Sequence, residues 1–157
     1  MGCDREFLAR KAIALWLSDG CGALVSASLV IVHFEAGGWT AHPPYTGIKR
    51  SPNEGVDYCI WSLMLTGIGT TLSGINFAVT IYKQRAPGMT LMKMPIVAWT
   101  TLCTAILMIY AMVPLAVASV MLALDRHAGF HFFTATQGGN MMNFANLFWL
   151  FGHPEVY

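Results

Sequence analysis

The sequence predicts an all-α fold, a polytopic bundle of transmembrane helices. Three observations predict it. The chain is 55% hydrophobic and 11% charged, where a soluble domain carries about 25% charge. Its charges cluster at 4–11, 35–57, 83–93 and 125–126. Between the clusters lie almost uncharged runs, and a helix of roughly 20 apolar residues is what crosses hydrocarbon.

The same composition excludes other classes. Net charge is +1, and no basic block interleaved with aromatics is present, so nucleic acid is not an expected partner. Cys3, Cys21, Cys59 and Cys103 are far apart and form no CxxC pair, which points to ordinary buried thiols rather than a zinc knuckle or a disulfide framework. The apolar run after Arg10 and Lys11 is too long for a signal-peptide core and is interrupted by Asp19.

The first helix is expected over about 12–34. Its glycines and serines suit close helix packing in a membrane. Asp19 is expected to face the bundle interior or to lie near the cytoplasmic end, because a carboxylate at the lipid midplane is costly. It could serve a proton path or be a polar residue tolerated near one end. Residues 35–56 form a loop punctuated by Gly37-Gly38, Pro43-Pro44 and Ser51-Pro52, in which Trp39 and Tyr45 suit the headgroup level.

The second helix is expected over about 57–81. Thr66, Thr70 and Ser73 recur at spacings of four and three, so one face is hydroxylated. Those hydroxyls can bond back to the helix's own carbonyls or hold a water chain. Asn76 favours water, since an amide is harder to satisfy locally. Residues 82–94 carry Lys83, Arg85 and Lys93 and no acid, which makes this loop cytoplasmic by the positive-inside rule. The N-terminus is then also cytoplasmic, and the loops 35–56 and 125–141 face outwards.

The third helix is expected over about 95–124, with Pro95 in its first turn and Pro114 kinking its interior. In the loop that follows, His127 and His131 are four apart, a spacing without geometric meaning outside a helix. The fourth helix is expected from about 142 to 157. Met142 to His153 covers roughly 16 Å of helix in a hydrocarbon core about 30 Å thick. His153, Glu155 and Tyr157 therefore fall near the bilayer centre.

That triplet is the main chemical signal. His153 and Tyr157 are i and i+4 and share a face. Glu155 lies about 200° around from His153, and Pro154 leaves the Leu150 carbonyl without its helical bond. Placing a carboxylate at that depth costs ~3 kcal/mol. A protonated carboxylic acid avoids much of that cost, and a proton relay needs such a group. His153 is a natural ligand for copper, zinc or iron, but one histidine is not a site. The residues alone leave open proton or metal chemistry, a small channel, or a helix-packing subunit.

Several stretches resemble subunit I of the haem–copper terminal oxidases: "GHPEVY" at 152–157, "RAPGMTLMKMP" at 85–95, "GINFAVTI" at 74–81 and, with His42 where an aromatic is usual, "GWTAHPPY" at 38–45. The resemblance covers essentially the whole chain, in order. Residues 56–77 and 124–142 look more like the quinol-oxidising branch than the cytochrome c-oxidising branch. The resemblance implies a fragment of the fold of twelve or more helices, in a bacterial inner membrane. It implies a proton-pumping catalytic subunit that reduces O2 to water with electrons from quinol, alongside other oxidase subunits. His153 would be a copper ligand. Tyr157 would be joined covalently to that histidine and supply an electron and a proton. Glu155 would be the internal proton relay, fed by a path past Asn76, Thr70 and Thr71. The low-spin and high-spin haems and the remaining copper ligands would depend on later helices, and His33, His42, His127 and His131 match no haem-ligand motif. The alternatives are a cytochrome c-oxidising subunit and a non-catalytic, truncated membrane protein.

Overall fold

The computed structural model describes residues 5–31 and 38–157, with side chains from residue 11 onwards. Cys3, His33 and the expected end of the first helix at 32–34 lie outside the described residues. Four helices follow one another: α1 (Arg5–Ile31), α2 (Gly55–Lys83), α3 (Ile96–His127) and α4 (Met141–Val156). Among the described residues there is no strand. Lys11–Ile31, Gly55–Lys83 and Ile96–His127 are each long and apolar enough to cross a membrane.

Each helix packs mainly on its neighbour in the chain, α1 on α2, α2 on α3 and α3 on α4. Small residues set the distances. A Cβ added at Gly69 would meet Ser18 Oγ at 3.2 Å and the Ala14 carbonyl at 3.3 Å, and one at Gly74 would meet the Ala105 carbonyl and Ile109 Cγ1 at 3.1 Å. One glycine thus seats α2 on α1 and the other seats it on α3, the close approach that small residues allow between membrane helices.

The densest packing lies at the end opposite the 84–94 loop. Val56 and Ile60 from the start of α2, Leu115 and Leu122 from the second half of α3, and Phe144 and Phe148 from α4 form one buried cluster. Segment 38–54 lies over this end. His42 packs edge-on against Phe144 and Phe148 at 5.5 and 5.6 Å, and Trp39 against Phe148 at 5.5 Å. α4 starts where Asn140 Oδ1 accepts a hydrogen bond from Met142 N at 2.9 Å, an N-cap that satisfies one of the first-turn donors.

Two expectations need correction, the end of α3 and the burial of the cysteines. α3 continues past Leu124 to His127, so Asp125 and Arg126 belong to its last turn rather than to a loop. The reason is tertiary: Arg126 is only 6% exposed, and its bonds to α2 and the 38–54 segment hold that turn in place. Asp19 is exposed on α1, which leaves both arms of its expectation standing. Cys103 is exposed rather than buried, and Cys21 and Cys59 are half-buried; none of these three forms a disulfide.

Candidate functional site at the end of α4

The hydroxyl-bearing face of α2 forms first, from the helix alone. Thr66 Oγ1 donates to the Ser62 carbonyl at 2.9 Å, Thr70 Oγ1 to Thr66 at 2.8 Å, Thr71 Oγ1 to Gly67 at 2.7 Å and Ser73 Oγ to Gly69 at 3.0 Å. Each hydroxyl therefore commits its one hydrogen to its own helix, the first of the two options the sequence leaves open. Its lone pairs can still accept from a neighbour. Asn76 is 8% exposed, and its backbone carbonyl accepts from Thr80 Oγ1 at 2.6 Å.

α4 packs on α3, and its last residues His153, Glu155 and Val156 are exposed, as is Tyr157 after them. The rings of His153 and Tyr157 meet edge-to-face with centroids 4.8 Å apart and planes at 68°, as the i, i+4 spacing requires. Glu155 and Tyr157 both line a cavity of about 170 Å³ between α2, α3 and α4, together with Thr70 and Thr104. The helical count puts Glu155 on a face of its own. Tyr157, however, follows the last residue of α4 as its C-cap and lines the same cavity as the acid while remaining 86% exposed. Thr71 and Asn76 do not line it. Asn76 is six residues from Thr70, roughly 9 Å along α2, towards the 84–94 loop.

Haem and copper are the groups a haem–copper fold implies. Among the described residues no three His, Cys, Asp or Glu side chains are grouped to hold a metal ion. His153 is exposed and offers one imidazole. The described residues therefore do not by themselves make a metal site. His127 is committed elsewhere, with Nε2 3.1 Å from Asp57 Oδ1.

Sequence reasoning missed two features. The first is the buried pair at the other end of the bundle. Arg126 donates from Nε and Nη2 to the two carboxylate oxygens of Asp57 at 2.6 and 2.9 Å. It also donates to the carbonyls of Thr46, Ser51 and Asn53 at 2.7, 3.0 and 3.1 Å. The available signal was two opposite charges at the same end of consecutive apolar runs. The second is Thr104, one helical turn beyond Thr100 on α3. A larger cavity of about 420 Å³ opens beside the buried arginine, lined in part by Lys49, Arg50 and His131; none of the α4 triplet reaches it.

Comparison with known proteins matches this arrangement to one family. The family described as Cytochrome C and Quinol oxidase polypeptide I matches residues 3–157. The chain is 53% identical over 154 residues to cytochrome bo(3) ubiquinol oxidase subunit 1 of Buchnera aphidicola subsp. Acyrthosiphon pisum. It is 49% identical to ubiquinol oxidase subunit 1 of Acetobacter aceti and 46% identical to a probable cytochrome c oxidase subunit 1 of Bradyrhizobium diazoefficiens. Each alignment covers 98% of this chain and 23% of the relative, so the chain spans about a quarter of the length of the proteins it matches. With its helical membrane architecture and a match over nearly all its residues, the chain belongs to the cytochrome c and quinol oxidase polypeptide I family.

Proposed function

We propose that this chain is part of the catalytic subunit of a proton-pumping terminal oxidase that reduces O2 to water with electrons from quinol. The observation that carries the reading is that Glu155, Tyr157 and Thr70 of α2 line one cavity, in a chain whose relatives include proteins named ubiquinol oxidase subunit 1. The protein would sit in a bacterial inner membrane with other oxidase subunits, its N-terminus and 84–94 loop cytoplasmic. Haem and copper would bind O2 and deliver electrons when present.

The residues of this chain handle protons. Glu155 holds a proton on its carboxyl group and gives it up towards the reaction site. It is refilled from the α2 side, where Thr70 lines the same cavity and Thr71 and Asn76 lie further along the path. Tyr157, against His153, supplies a phenolic proton and an electron. His153 is the one copper ligand in this stretch.

The test is Glu155→Gln in the full-length, assembled enzyme. The amide keeps the shape and cannot release a proton, so proton delivery and turnover are expected to fail while haem and copper content stay unchanged. Normal turnover would remove the relay role. Cytochrome c as donor is the second reading, favoured by the relative named as a probable cytochrome c oxidase. Oxygen consumption with a reduced quinol, set against that with reduced cytochrome c, decides between them.

A further inference from the structure

The cavity of about 420 Å³ beside Arg126 lies between the 43–50 stretch, the end of α3 and the start of α4. Its size is that of a small-ligand pocket, and its character fits too, mostly apolar with a few polar groups. Leu122 and Phe133 line it from the buried core. Ile48 and Met141 line it from the exposed side.

Four formally charged side chains line it among the described residues, and two of them are committed elsewhere. The five N–H groups of Arg126 go to Asp57 and to the carbonyls of Thr46, Ser51 and Asn53. The carboxylate of Asp125 accepts from the backbone N–H of Phe132 at 2.7 Å and of Phe133 at 3.0 Å. Lys49 and Arg50 remain. Both are exposed, and neither is in an ion pair among the described residues. The Arg50 guanidinium carbon lies 5.5 Å from the centre of the Tyr45 ring, a cation–π contact that steadies the group and leaves its N–H edge for an acceptor. The cavity therefore offers two cations to a ligand and no uncommitted carboxylate.

Depth narrows the ligand. α3 has 32 residues and runs about 48 Å, against a hydrocarbon core about 30 Å thick. Equal overhang leaves about 9 Å beyond the hydrocarbon at each end. That puts Asp125 and Arg126 at headgroup level and Leu122 at the hydrocarbon edge. A ligand here meets cations on its outer side and apolar side chains on its inner side. We propose that this cavity binds an anionic phospholipid, with its phosphate on Lys49 and Arg50 and the start of an acyl chain against Ile48, Leu122 and Met141. A zwitterionic choline headgroup would bring a third positive charge beside the two cations, so the site favours phosphatidylglycerol over phosphatidylcholine. The proposal rests on the membrane placement of α3 and is independent of the chemistry at the end of α4.

The experiment uses the assembled full-length enzyme, delipidated and returned to nanodiscs of phosphatidylcholine with or without phosphatidylglycerol. Native mass spectrometry reads the lipid retained. The double variant Lys49→Gln/Arg50→Gln removes both charges. Ala135→Trp keeps them and adds an indole to the cavity wall, which Ala135 lines. The parent is expected to retain phosphatidylglycerol in preference to phosphatidylcholine. Both variants should bind it at least about tenfold more weakly, the scale of a lost hydrogen bond to a charged group, with haem spectra matching the parent. Inorganic phosphate at the same concentration should not displace it. A parent that retains no phosphatidylglycerol would mean that another part of the enzyme fills the cavity, and would overturn the proposal. Parent-like retention in Ala135→Trp alone would reduce the effect to surface charge, and displacement by phosphate would make this a plain anion site. Either result also overturns it.

Discussion

Arg126 at the end of α3 is bidentate on Asp57 in the first turn of α2, with Nε to Oδ1 at 2.6 Å and Nη2 to Oδ2 at 2.9 Å. The same guanidinium accounts for three carbonyls of the 46–53 segment. A single buried cation thus joins two membrane helices and pins the loop that precedes one of them.

Removing it takes the guanidinium away from three carbonyls and from a partly buried carboxylate that keeps His127 Nε2 at 3.1 Å. Arg126→Leu is expected to destabilise the fold by about 3–5 kcal/mol, the range for breaking one side of a buried pair. Arg126→Lys is expected to recover little, because an ammonium is a point charge and cannot reproduce the fork. Thermal unfolding of the detergent-solubilised protein measures both, and a double-mutant cycle with Asp57→Asn should give a coupling of at least ~1 kcal/mol. Additive losses would mean the two side chains act separately.

Gly74 and Gly67 lie on the same helix and should answer differently to one methyl group. A Cβ at Gly74 meets the Ala105 backbone and Ile109 at 3.1 Å, whereas one at Gly67 meets nothing within 4 Å. Gly74→Ala is expected to cost about 1–3 kcal/mol, as overpacking does. Gly67→Ala is expected to be neutral or to stabilise by about 0.5–1 kcal/mol through helix propensity. Equal melting shifts for the two would refute the close approach of α2 to α3 at Gly74.

His42 carries a buried Nδ1 with no hydrogen-bond partner among the described residues, while its ring lies edge-on to Phe144 and Phe148. A buried unsatisfied polar atom costs about 1–3 kcal/mol. His42→Phe keeps the aromatic packing and removes that atom, so a gain of about 1 kcal/mol is expected by the same melting assay. A loss would show that the imidazole nitrogen has a partner in the assembled enzyme.

Tyr157 packs on His153 with ring centroids 4.8 Å apart. Tyr157→Phe retains the ring and removes the phenol. On the proposed function, oxygen reduction should fall by about a hundredfold or more, the scale of a lost proton donor, with helix content and melting temperature unchanged. Undiminished oxygen consumption would remove the phenol from the chemistry.

Much of the architecture was legible because it is local. The apolar runs placed α2 within two residues of its observed ends, Gly55 and Lys83. The i, i+4 spacing of His153 and Tyr157 anticipated their ring contact. The hydroxyls of α2 were legible as a face, but two uses of them were open, and the hydrogen bonds to their own carbonyls decided where the donors go. Thr104 carried no signal of its own, since a threonine in an apolar helix reads the same wherever it points.

By itself, then, the sequence determined that this protein is a set of apolar helices with a polar triplet at 153–157, because hydropathy and helical spacing are properties of one segment at a time. Tertiary structure alone decided that Arg126 reaches Asp57 across 69 residues of chain, that Thr70, Thr104 and Glu155 share one cavity, and that Asp19 is exposed on α1. Those outcomes depend on how closely Gly69 and Gly74 let the helices approach and on how each helix is rotated. Both are set by side chains meeting across helices, which no single stretch of sequence contains.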